Sequence, residues 1–203
     1  MTARATVWVK VCGITRAEDL LAAEQAGADA IGLVLVAGSP RVISFDRAVD
    51  LARLAQVPAV LVTRDMPPEE LVAAAIATGA EGVQPYGDHS EEAARAATEV
   101  GLLVLRPVGP TTDLASVPDD QVPLFDNRAA GLLGGTGEPF DHSLLPEISR
   151  RFVLAGGLNP DNVASAVQRV RPWGVDASSG LEGLPGIKDP DLVARFVREA
   201  KAT

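Results

Sequence analysis

Phe152–Gly180, FVLAGGLNPDNVASAVQRVRPWGVDASSG, reads in order as a short apolar strand (Phe152–Leu154), a glycine pair (Gly156-Gly157), a helix from Pro160 to about Arg169, a second strand (Gly174–Asp176) and the small-residue loop Ser178-Ser179-Gly180. Strand, helix and strand in succession join as a right-handed βαβ unit with both strands parallel in one sheet. In a (β/α)8 barrel the phosphate-holding loops follow strands seven and eight, and the site faces the C-terminal ends of the strands. The two small-residue loops fall at those places if six further units precede them.

The preceding chain supplies those units. Val7–Cys12 alternates like a strand, and helical spacing from Arg16 to Gln25 ends at Gly27. Ala30–Val36 is a near-continuous apolar run followed by a helix around Asp46–Ala55. Strand three, Ala59–Val62, precedes Pro67-Pro68-Glu69-Glu70, which opens a helix with proline in its first turn, closed by Gly79. Strand four is Gly82–Gln84, ended by Pro85, which lacks a ladder donor; its helix spans Glu91–Val100. After strand five, Leu102–Leu105, the segment Thr111–Ser116 offers at most one helical turn, so the fifth helix is short or replaced by loop. Strand six is Val122–Phe125, with a helix from about His142 to Arg150, and a last helix runs from Pro190 to Lys201. Eight units without a linker predict an α/β protein, a single-domain (β/α)8 TIM barrel over residues 1–203. A doubly wound sheet is the alternative, disfavoured because the early Gly-rich turn of a dinucleotide site is missing.

Composition agrees with buried parallel strands under Ala-rich helices: 47% of residues are hydrophobic and only 4% aromatic, so Val, Leu, Ile and Ala must build the core. The formal charge of −9 and the lack of any Lys/Arg run argue against nucleic acid or an anionic membrane surface as partner. An anionic ligand would therefore need a locally positive site. No apolar stretch reaches transmembrane length and the N-terminus lacks a signal-like core, so a cytoplasmic location is expected. The single cysteine excludes a disulfide framework and a multi-cysteine metal site.

Several residues could carry chemistry. Leu124–Asp141, LFDNRAAGLLGGTGEPFD, joins a carboxylate at a strand end, Asp126, to a loop in which Gly134, Gly135 and Gly137 surround Thr136. Uncovered amides in such a loop can nest an oxyanion, although a plain turn is the bland alternative. Cys12 ends strand one, where it is either a small buried hydrophobe or a thiolate base facing Asp126 across the mouth. Asp126 could equally cap its loop. Arg41, in Ser39-Pro40-Arg41, could clamp a carboxylate or phosphate in two-point fashion, or form a surface salt bridge. Asp176, ending strand eight, could hold sugar hydroxyls or cap a loop. Lys10 shares the strand face of Cys12, which permits a charge inside the barrel.

Taken together, Lys10-Val11-Cys12-Gly13-Ile14-Thr15-Arg16, Gly38-Ser39-Pro40-Arg41, Asp126 with Gly134-Gly135-Thr136-Gly137, Leu154-Ala155-Gly156-Gly157-Leu158, Gly174–Glu182 and Pro185-Gly186-Ile187-Lys188-Asp189 resemble the phosphoribosylanthranilate isomerase family in order along nearly the whole chain. The resemblance implies a cofactor-free, metal-free barrel enzyme of tryptophan biosynthesis. Its reaction is the Amadori rearrangement of N-(5′-phosphoribosyl)anthranilate to 1-(o-carboxyphenylamino)-1-deoxyribulose 5-phosphate. It implies Asp126 as general acid, Cys12 as general base, Arg41 on the anthranilate carboxylate, and Gly135, Thr136, Gly137, Gly156, Gly157, Ser178, Ser179 and Gly180 around the phosphate. Asp176 and Tyr86 are candidate ribose or mouth contacts. The expected partner is a small phosphoribosyl molecule, bound by a monomer or a homodimer.

The chain also departs from the family pattern. Val83-Gln84-Pro85-Tyr86-Gly87 stands where the family usually shows Val-Gln-Leu-His-Gly, so a phenol replaces an imidazole. Glu138 replaces a common lysine, His142 a common tryptophan, and Thr63-Arg64 an asparagine-containing pair. These changes leave open a related sugar-phosphate isomerase, or a variant taking a modified anthranilate. A binding paralogue without efficient catalysis is disfavoured by Cys12, Asp126 and Arg41 occurring together.

Overall fold

A computed structural model describes residues 6–126 and 148–203. Eight parallel strands close into a barrel in sequence order: β1 (Trp8–Cys12), β2 (Ala30–Val34), β3 (Ala59–Arg64), β4 (Gly82–Tyr86), β5 (Leu103–Val108), β6 (Val122–Phe125), β7 (Val153–Leu154) and β8 (Gly174–Ala177). Closure is made by β1 against β8, with Trp8 opposite Gly174 and Val11 opposite Ala177. The described helices around it are α1 (Ala17–Gln25), α2 (Phe45–Leu54), α3 (Pro68–Thr78), α4 (Ser90–Glu99), α5 (Val163–Val170) and α6 (Pro190–Lys201). None of the described helices is long and apolar enough to cross a membrane.

The helix ends follow from local chemistry. Helix α3 starts on a proline and stops where Gly79 takes a left-handed φ of 74°. At the start of α6, Pro190 occupies the first turn and the Asp189 carboxylate accepts from the amides of Asp191 and Leu192. The connection after β5 is loop apart from a single 3₁₀ turn, Leu114–Ser116, as the weak pattern there anticipates.

Among the boundaries that differ from the sequence reading, three bear on the surroundings of the barrel mouth. Strand β4 does not end at Gln84 but continues to Tyr86, pairing Thr63 with Pro85 and Arg64 with Tyr86. Its ladder to β5 stops at Val83 opposite Val104, so the donor that Pro85 lacks falls where no partner strand remains. Helix α5 begins at Val163 instead of Pro160, because the Asn159 side chain accepts from the amides of Asp161 and Asn162 and holds a turn there. Of the helix expected from His142 to Arg150, residues 148–150 are irregular and the rest lies outside the described residues.

Strand alternation sends one set of side chains to the helices and the other into the barrel. The large core, including Val9, Val11, Leu33, Leu61, Val83, Leu154 and Val175, seals strands against helices. Inside the barrel, Val60, Leu105, Val122, Leu124 and Val153 pack above a floor of Trp8 and Trp173, whose rings stack at 5.0 Å with Arg151 over Trp173. Above that apolar plug the interior turns polar. Fully buried Lys10 donates to the Gln84 amide oxygen at 2.9 Å and to the Asp176 carboxylate at 3.0 Å.

That buried pair yields a stability prediction. Lys10→Met leaves Asp176 buried without its counter-ion, and unfolding in urea is expected to show a loss of about 3–5 kcal/mol. A loss below about 1 kcal/mol would show that the barrel does not depend on this charge pair.

Candidate active site

Cys12, Tyr86, Asp126 and Asp176 leave the C-terminal ends of β1, β4, β6 and β8 and line one cleft with Arg41, Arg64, Gly156, Gly157, Ser178 and Ser179. The thiol of Cys12 lies on Gly32 of the neighbouring strand: a Cβ at Gly32 would come within 2.7 Å of Sγ, so the absence of a side chain there makes the room. Burial pushes the Cys12 thiol above its ordinary pKa; Lys10 and Lys188 pull it back, and Asp176 opposes them. The bland and functional readings of this cysteine therefore merge, since it is buried in a small apolar cluster with Val34, Val62 and Tyr86 and yet lines the cleft.

Asp126, 8% exposed, accepts a 2.7 Å hydrogen bond from the Tyr86 hydroxyl. That hydroxyl accepts from Gln84 Nε2 at 2.8 Å, and Gln84 Oε1 accepts from Lys10. Tyr86 thus shares an apolar cluster with Cys12 and holds Asp126 with its hydroxyl. Arg64 sits with its guanidinium 5.8 Å from the centre of the Tyr86 ring.

Arg41 is not at the surface. It is 8% exposed, and its Nε and Nη2 bind the two oxygens of Glu182 at 2.6 and 2.8 Å. Lys188 Nζ donates to the same carboxylate at 2.9 Å and to the Ser178 carbonyl at 3.0 Å. Burial opposes a charge at Glu182, but Arg41 and Lys188 outweigh it and hold the carboxyl below its ordinary pKa. Glu182 and Lys188 belong to a two-stranded antiparallel hairpin absent from the sequence reading, β9 (Glu182–Leu184) and β10 (Ile187–Lys188). The two-point fork expected of Arg41 is thus directed at a protein carboxylate, and Nη1 makes no hydrogen bond among the described residues. Gly13, at φ 79°, lies under the Arg41 stem, where a Cβ would come within 2.7 Å of Cδ.

The loops after β7 and β8 meet at the other side of the cleft. Gly156 and Gly157 both take left-handed φ, 80° and 75°, and their amides donate to no group among the described residues. Gly180 fits against the Leu158 carbonyl, which a Cβ would approach to 2.2 Å, so this glycine lets the two loops touch. The Ser178 hydroxyl and one oxygen of Asp176, Oδ1, are buried without a hydrogen-bond partner among the described residues. Unpaired buried polar atoms on a cleft wall are groups that a ligand can satisfy. Gly135, Thr136 and Gly137 lie outside the described residues, as do Glu138 and His142. Among the described residues no group of three or more His, Cys, Asp or Glu side chains could hold a metal ion.

Sequence reasoning singled out Cys12, Arg41, Tyr86, Asp126, Asp176 and the two described loops, and all line or border one cleft. It missed Gln84, Glu182 and Lys188 as working parts. Gln84 had a readable signal, since it shares the inward face of its strand with Tyr86. The pairing of Arg41 with Glu182 spans 141 positions and left none.

A family model described as N-(5'phosphoribosyl)anthranilate (PRA) isomerase matches residues 9–199. An N-(5'-phosphoribosyl)anthranilate isomerase of Rubrobacter xylanophilus is 42% identical over 203 residues, covering 96% of this chain and 98% of its own. The crystal structure of phosphoribosyl anthranilate isomerase from Thermus thermophilus superposes with a TM-score of 0.85 at 33% identity, covering 97% of this chain and 99% of its own. Another such isomerase, solved in complex with reduced 1-(o-carboxyphenylamino)-1-deoxyribulose 5-phosphate, gives a TM-score of 0.79 at 33% identity, covering 97% and 100%.

Proposed function

The chain belongs to the N-(5′-phosphoribosyl)anthranilate isomerase family, and from that premise we propose how its own residues carry out the reaction. It is an isomerase of tryptophan biosynthesis acting on N-(5′-phosphoribosyl)anthranilate. Asp126 protonates the furanose ring oxygen as the bond from that oxygen to C1′ breaks, and the anilino nitrogen takes up the positive charge as an iminium. Cys12, as thiolate, removes the C2′ proton. The electron pair released neutralises the iminium and leaves an enolamine, which tautomerises to the ketone.

Acid and base must reach one substrate from different sides. The observation that carries the reading is that Cys12 and Asp126 line a single cleft, with Tyr86 bound to Asp126 and in one apolar cluster with Cys12. Arg41, held by Glu182, presents its remaining nitrogen to the anthranilate carboxylate, and charge-assisted bonds of this kind orient as well as bind. The amides of Gly156 and Gly157 and the loop Ser178-Ser179-Gly180, completed by Gly135, Thr136 and Gly137, take the phosphate. The unpaired Oδ1 of Asp176 takes a ribose hydroxyl. Anchoring the phosphate at one end and the carboxylate at the other positions the ribose between acid and base. The enzyme works in the cytoplasm, as monomer or homodimer, with this small molecule as its partner.

Purified protein is expected to convert N-(5′-phosphoribosyl)anthranilate with no added cofactor, followed by the loss of anthranilate-type fluorescence. Folded protein that leaves the substrate unchanged would sink the reading.

A further inference from the structure

Resting on the function proposed above, we infer that Tyr86 is the positioning residue for the general acid, its hydroxyl holding the Asp126 carboxyl by Oδ2. The hydroxyl has one hydrogen, and its partners decide where that hydrogen goes. Gln84 Nε2 can only donate to it, at 2.8 Å, and Gln84 is held in that orientation because its oxygen accepts from the Lys10 ammonium at 2.9 Å. The phenol therefore donates to Asp126 Oδ2 at 2.7 Å. Ammonium to amide to phenol to carboxyl, every donor points the same way, and aligned hydrogen bonds polarise one another.

Tyr86 stays neutral throughout the working range: burial raises its pKa well above the ordinary phenol value and Asp126 raises it further. The charged or titratable groups facing this pair are Lys10 and Cys12 from β1, Arg64 from β3 and Asp176 from β8; β2 contributes only Val34. A phenol at this position keeps a donor to the acid that does not gain or lose charge near neutral pH.

Two measurements test this. In Tyr86→Phe, kcat for phosphoribosylanthranilate is expected to fall about tenfold with little change in KM, because orientation of the acid is lost and not binding. A kcat that is unchanged, or that falls only together with a matching rise in KM, overturns the role.

The second measurement needs no turnover. Tyr86 is the only tyrosine in the chain, so meta-fluorotyrosine incorporated biosynthetically gives one fluorine resonance. Its shift is expected to differ between otherwise wild-type protein and Asp126→Ala, which removes the acceptor of the phenol's hydrogen bond; the same shift in both proteins overturns the inference. Wild type that turns over substrate while Tyr86→Phe is unaffected removes only the role of Tyr86. Inactive wild type removes the proposed function, and the fluorine shift still decides whether the Tyr86 hydroxyl is bound to the carboxyl.

Discussion

Asp126→Asn is expected to lower kcat about 10³-fold, with KM close to that of the wild type. Asparagine keeps the shape of the side chain and an oxygen that can accept from Tyr86, so the cleft survives the change. What it cannot supply is a proton. Ring opening would then expel the furanose oxygen as an alkoxide inside a site with few competing donors, and the barrier rises by what the acid had contributed. Steady-state kinetics with phosphoribosylanthranilate checks this. A loss of less than tenfold would move the acid's role to another group.

Cys12→Ser is expected to cost a similar factor, about 10³ in kcat, for the opposite reason. Serine fits the space over Gly32 and forms the same strand, but it has no accessible anionic form with which to take the C2′ proton. The thiol brings its own pH dependence. Burial raises the Cys12 pKa and the lysines at positions 10 and 188 only partly offset it, so the resting group is the thiol. With the thiolate as the proposed base, kcat/KM for the wild type is expected to rise with pH, its acid limb displaced upward from that of an ordinary thiol. Removing the positive charge of Lys10 takes away a stabiliser of the thiolate and moves that limb further alkaline. A limb that stays in place in Lys10→Met would show that the ammonium does not act on the thiol.

These expectations rest on residues whose positions were unevenly visible in the sequence. The barrel was legible because each β/α unit carries its own local signals: apolar runs of strand length, Pro67-Pro68 and Pro190 at helix starts, Gly79 at a helix end. Cys12, Asp126 and Asp176 were legible because each ends a strand, and in a barrel strand ends converge at one mouth. Pro85 misled, since a proline ends a strand only if its missing donor was needed, and here β5 had already stopped pairing. Arg41 was recognised as a clamp, but its protein partner was not. Glu182 sits on a hairpin too short to show periodicity, and the contact crosses from the second loop of the chain to the last. The chain Lys10, Gln84, Tyr86, Asp126 is likewise written on three strands, and only barrel closure brings its members within hydrogen-bonding distance.

The stacked indoles at the foot of the barrel have a use of their own. Trp8 and Trp173 are the only two tryptophans in the chain, and both lie at the end away from the mouth, joining the first strand to the last. Their emission therefore reads whether the cylinder is shut, and it is optically separate from an anthranilate fluorophore arriving at the opposite rim. The molecule carries a folding gauge at one pole and hosts its ligand's own glow at the other, so stability and occupancy can be followed together in one cuvette without attaching a label.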